Sequence, residues 1–118
     1  MEKSNYQKLI VRQKSMDLIE QIYKITWLFP KEETYWLISQ IRRCAISIAS
    51  NIAEWNQRWT SKDKQNFLRI AKWSTAELET QIIIAKRLGY IKEAETNEIL
   101  TEISEILKML SGFIVSLK

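Results

Sequence analysis

The sequence predicts an all-α fold, an antiparallel up-down four-helix bundle, and three observations carry that prediction. Only two glycines and one proline occur in 118 residues, while Ile, Leu, Glu, Lys and Ala are abundant, a composition that favours helix over sheet. Apolar residues recur at spacings of three and four through most of the chain. These runs break at Pro30, at the polar patch Trp59-Thr60-Ser61-Lys62-Asp63 and at Gly89, which delimits four segments with short connections.

Each segment supports one helix. In the first, about residues 6–29, Leu18, Ile22, Ile25 and Phe29 fall on one stripe and Pro30 ends the run. The second, about 32–57, opens at Lys31-Glu32-Glu33, whose carboxylates suit the positive end of a helix dipole. Its apolar face is Leu37, Ile41, Ala45, Ile48 and Ile52. Thr60 and Asp63 have the spacing of a capping box, so a third helix starts there and runs over about 61–88. Its stripe is Phe67, Ala71, Ser74, Leu78, Ile82 and Ala85; Lys86 and Arg87 suit the carbonyl end, and Gly89 can take the left-handed cap conformation. The fourth, about 92–117, buries Ile99, Ile103, Ile106, Leu110 and Phe113 or their neighbours. Helices of this size are about 30 Å long at ~1.5 Å per residue. One domain over residues 1–118 is expected, large enough to fold without metal or disulfide.

Composition also bounds the chemistry. There is no histidine, so the usual near-neutral proton shuttle and the commonest zinc ligand are both missing. Two glycines cannot furnish a Rossmann or P-loop phosphate cradle. The single Cys44 rules out an intrachain disulfide. The expectation is a non-enzymatic protein with no metal and no cofactor. Its amino-terminal residues lack a signal peptide's apolar segment, and no stretch approaches the ~20 apolar residues of a membrane span. A cytoplasmic location without a membrane partner is therefore expected.

Six sequence blocks, in order, carry a family resemblance. They are Leu9-Ile10-Val11-Arg12-Gln13-Lys14-Ser15-Met16-Asp17, Phe29-Pro30-Lys31-Glu32-Glu33, Ser39-Gln40-Ile41-Arg42-Arg43, Ser50-Asn51-Ile52-Ala53-Glu54, Phe67-Leu68-Arg69-Ile70-Ala71 and Glu77-Leu78-Glu79-Thr80-Gln81. Over nearly its whole length the chain resembles the bacterial four-helix-bundle proteins encoded in intervening sequences of large-subunit ribosomal RNA genes. The accessory variability determinant of diversity-generating retroelements belongs to the same family. The resemblance implies a ring-shaped homopentamer around a central channel, with a basic surface. In the retroelement branch that surface implies RNA or DNA and a reverse transcriptase as partners.

The departures from the family pattern concern tryptophan. Where the family usually reads Asn-Ile-Ala-Glu-Gly with a second glycine soon after, this chain reads Asn51-Ile52-Ala53-Glu54-Trp55-Asn56-Gln57-Arg58-Trp59. Trp36 stands where a Tyr-Gly pair is common, Trp73 where a small residue often precedes Ser74, and Trp27 where Lys is common. All five tryptophans thus sit at departures, which raises an alternative expectation of an engineered scaffold with a rebuilt surface. Trp27, Trp36, Trp55, Trp59 and Trp73 form the candidate oligomer or assembly interface, since exposed tryptophan marks binding hot spots. Partial core burial and base stacking beside Arg58 are the competing readings.

Charge is unevenly distributed. Residues 42–87 carry nine Lys or Arg against four acids, net +5, whereas residues 88–118 carry three against five, net −2. Arg42, Arg43, Arg58, Lys62, Lys64, Arg69, Lys72, Lys86 and Arg87 are therefore the candidate nucleic-acid-binding residues, able to neutralise phosphates and release counterions. A solvated helix face is the plain alternative. The chain's net +4 is modest, but a pentamer would carry about +20. Arg42 and Arg43 point about 100° apart, so they form no single clamp, and one is expected to pair with Glu54 or Glu79 across the bundle. Glu77 and Glu79 diverge in the same way, and without a Glu-x-x-His motif they give no di-iron centre. Cys44 reads as a small core residue, and Asn51 and Glu54 as stabilising the end of the second helix or a subunit contact.

Overall fold

The stripes and breakers resolve, in a computed structural model describing residues 2–117, into α1 (Glu2–Thr26), α2 (Ser39–Asn56), α3 (Ser61–Arg87) and α4 (Glu93–Ser116). No strand occurs among the described residues. Successive helices pack on one another and α1 closes against α4, which makes an up-down bundle measuring 45 × 25 × 19 Å. Between α1 and α4, Lys14 Nζ reaches Glu105 at 2.9 Å and Glu102 at 3.9 Å.

Two helix boundaries follow directly from local chemistry. At the start of α3, the Thr60 hydroxyl accepts the Asp63 N–H at 3.1 Å, filling one of the orphan donors of the first turn. At its end, Tyr90 N–H bonds Ala85 C=O and Gly89 N–H bonds Lys86 C=O, both at 2.9 Å, the paired bonds of a Schellman motif. Gly89 sits at φ +82, where a β-carbon would be strained.

The second helix begins differently from the expectation of a continuous helix from residue 32. A 3₁₀ turn, Lys31–Glu33, leads into a π turn, Thr34–Ile38, and regular α-helix starts only at Ser39. Glu33 does not serve as a side-chain cap. Instead its carboxylate accepts the Tyr90 hydroxyl at 2.7 Å, and Phe29 packs on the Tyr90 ring with centroids 5.3 Å apart. The α1–α2 connection is thus fastened to the α3–α4 connection.

The core lies along the bundle axis. Leu18 and Ile22 from α1, Ile41, Ile48 and Ile52 from α2, Leu78 and Ile82 from α3, and Ile99, Ile103, Ile106 and Leu110 from α4 are essentially closed to solvent. On α3 the buried set is Leu68, Ala71, Thr75, Leu78, Gln81, Ile82 and Ala85, so Phe67 and Ser74 lie at the edge of the stripe instead of within it. Buried hydroxyls turn back onto their own helices: Ser15 donates to Arg12 C=O, Thr26 to Ile22, Thr75 to Ala71 and Thr96 to Lys92, at 2.7–2.8 Å. Burying these groups therefore leaves no bond unmade.

Candidate nucleic-acid interface and the tryptophan surface

Helices α2 and α3 run antiparallel and are joined midway by Ser47 and Ser74, whose hydroxyls lie 2.8 Å apart. This arrangement sorts the basic residues into two end clusters with a sparse middle. Arg42 and Arg43 share one end with Lys86 and Arg87. Arg58, Lys62 and Lys64 gather at the α2–α3 turn, about 22 Å away along α2 at ~1.5 Å per residue. Arg69 and Lys72 lie between on α3, the first half-buried and the second exposed.

Two of the nine cations are engaged by acids. Arg58 Nη2 bonds Glu54 Oε1 at 2.6 Å one helical turn away while its guanidinium covers the Phe67 ring at 4.6 Å; Lys86 lies 3.8 Å from Glu93. The remaining seven form no ion pair among the described residues, and Arg43, Lys62, Lys72 and Arg87 are exposed.

The expected partners of Arg42 and Arg43 require correction. Arg42 donates its Nε–H to the Thr26 hydroxyl at 2.9 Å and its guanidinium sits 4.4 Å from the centre of the Tyr23 ring, tying α2 to α1. Neither arginine pairs with Glu54 or Glu79. Glu54 is on the same helix, about 18 Å from Arg42 at ~1.5 Å per residue, and Arg58 takes its carboxylate instead. Asn51 donates to Ser47 C=O at 2.8 Å and contacts the Ser47 hydroxyl at 3.2 Å, so it supports the α2–α3 seam.

The five tryptophans divide four to one. Trp27, Trp36, Trp59 and Trp73 are 81%, 72%, 94% and 66% exposed. Trp55 is only 2% exposed, so it does not belong to the surface set that the sequence suggests. It fills the end of the core against Phe113, ring centroids 4.7 Å apart, with the Lys8 ammonium 5.4 Å from its ring centre. Cys44 is buried, and burial together with the nearby Glu77 carboxylate pushes its thiol up to about 11, leaving little thiolate near neutrality.

One feature of the Arg42–Arg43 end escaped the sequence reading. Tyr23, Tyr35, Arg42, Arg43 and Ile46 line an open groove of about 530 Å³ where α1, the π turn and the start of α2 meet. Of its lining, only Tyr23 belongs to a periodic signal: Leu9, Met16 and Tyr23, seven residues apart, form a second apolar stripe on α1 opposite the core, and all three are exposed.

No group of three or more His, Cys, Asp or Glu able to hold a metal occurs among the described residues. No helix there is long and apolar enough to cross a membrane.

The fold and surface define an all-α, antiparallel four-helix-bundle protein with basic residues concentrated on α2 and α3. Residues 7–112 match the model of the 23S rRNA-intervening sequence protein family, and the chain belongs to that family. It is also similar to the crystal structure of a protein with unknown function from the S23 ribosomal protein family of Bacteroides thetaiotaomicron VPI-5482. The two are 28% identical with a TM-score of 0.84, over 92% of this chain and 97% of that one. Comparison with curated proteins gives no match.

Proposed function

We propose that this is a non-enzymatic, cytoplasmic, homo-oligomeric bundle protein that binds RNA or DNA, or a ribonucleoprotein, through the basic surface of α2 and α3. The observation that carries the reading is the set of unpaired cations on these two helices, set against a net −2 over residues 88–118. The mechanism is electrostatic capture: each phosphate neutralised releases counterions, and no base is read in sequence. Its family resemblance adds a pentamer, which would repeat the cationic ends around a ring, and a reverse transcriptase as a protein partner. Binding of a labelled RNA or DNA at 50 mM salt, weakening steeply as salt rises, is the expected result. Absence of affinity for both at 50 mM salt overturns it. Light scattering tests the pentamer, which requires a mass about five times the 14.0 kDa chain.

A second reading is favoured by the four exposed tryptophans. In it, Trp27, Trp36, Trp59 and Trp73 form a protein-protein assembly contact, as in an engineered scaffold. Replacing all four by small residues then changes the oligomeric mass, and an unchanged mass counts against it.

A further inference from the structure

The groove at the α1–α2 end combines features that a solvated helix face lacks. Arg42 is held in place by two side chains at once, its Nε–H on Thr26 and its guanidinium over Tyr23, so its remaining N–H groups are presented in a fixed position. Arg43 is exposed beside it, and no acidic residue lines the groove. Tyr35 is 94% exposed, an aromatic ring with both faces open to a ligand. It is carried by the π turn Thr34–Ile38, a rare backbone form that is frequent at functional sites. A second hollow of about 420 Å³ adjoins, sharing Arg42 and Ile38 and walled by Trp27. One fixed cation, Arg42, and one exposed cation, Arg43, therefore lie among open aromatic faces around one corner of the bundle.

Phosphate alone would be satisfied by the arginines and would leave the rings unused. A duplex presents phosphates but hides its base faces by stacking, so it cannot use the rings either. An unpaired strand offers both, and base stacking on aromatic side chains is insensitive to sequence. We infer that the groove formed by Tyr23, Tyr35, Arg42, Arg43 and Ile46 is a subsite for an unpaired nucleotide of a single-stranded nucleic acid, with a base on Tyr35 and the adjoining phosphate on Arg42 and Arg43. This rests on the nucleic-acid reading above and narrows it to single strands at one end of the bundle.

The test is fluorescence anisotropy on the full chain with a labelled oligouridylate and, in parallel, an RNA duplex of equal length, both at 50 mM salt. Tyr35→Ala removes an exposed ring, and far-UV circular dichroism confirms that the helices are kept. The expected result is tighter binding of the single strand by the unaltered protein, and a loss of about fivefold or more for Tyr35→Ala on the single strand, with duplex affinity unchanged. Arg43→Ala is expected to weaken both ligands and lower the salt slope by about one. Equal affinities for single strand and duplex, or no loss for Tyr35→Ala, overturns the subsite while leaving electrostatic capture intact. No binding of either ligand overturns both.

Discussion

Replacing Trp55 with alanine separates a core tryptophan from a surface one. The side chain is 2% exposed, and a buried tryptophan removes roughly 200 Å² from water, worth about 5 kcal/mol at ~25 cal/mol per Å². Alanine recovers a small part of that, while the lost stacking on Phe113 and the cavity add to the cost, giving an expected loss of about 4 kcal/mol. With a urea dependence of ~1.5 kcal/mol per molar for a chain of this size, the unfolding midpoint should fall by about 2.5 M. The assay is urea unfolding followed by far-UV circular dichroism, because fluorescence would change with the tryptophan count. Unaltered and altered proteins are compared at one concentration, since any self-association adds to apparent stability. Trp59→Ala is the control: at 94% exposure it should stay within ~0.5 kcal/mol. The reasoning is refuted if Trp55→Ala leaves the midpoint in place, or if Trp59→Ala shifts it as far.

Three further outcomes follow from single residues. Gln81 Oε1 is buried with no hydrogen-bond partner, so Gln81→Met should raise stability by about 1 kcal/mol, read as a melting temperature some 3–6 °C higher. Cys44, with its thiol at about 11, should react with a disulfide reagent at pH 8 only as fast as the protein opens, and burst-like modification of the native protein would contradict its burial. The hydrogen bond to Glu105 raises the Lys14 ammonium above its ordinary value of 10.5 despite opposing burial, so this bridge contributes fully below that pH and is lost as pH climbs through the raised value. The stability gap between the unaltered protein and Lys14→Met should accordingly be constant from pH 7 to about 10 and then close, and a gap that widens would contradict the pairing.

Features of the fold set by near neighbours were legible in the sequence. Thr60 with Asp63, and Lys86 with Gly89, are contacts made within one turn, and both boundaries fall where spacing placed them. The start of α2 was not legible, because the residue that occupies Glu33 is Tyr90, 57 positions away. Trp55 is a different case. It lies seven residues after Ile48 and three after Ile52, on the buried face of α2, so helical spacing alone places it inside; its departure from the family pattern pointed outward. Trp27, about 200° from Ile25, is exposed in keeping with its helical angle. For the candidate site, charge located the helices but not the groove, since Tyr23, Tyr35 and Arg42 meet only when α1, the π turn and α2 fold together.

The up-down path gives the bundle a polarity along its 45 Å axis. The beginning of α1, the end of α4 and the α2–α3 turn share the Trp55 end, where Lys8 and Phe113 meet that ring. Tyr90, Glu33, Tyr35 and Arg42 occupy the far end. A tether joined at the start of α1 or the end of α4 therefore leaves from the base of the bundle, away from the grooved crown. Grafted to a surface at that base, the bundle stands with its arginine-tyrosine corner outward.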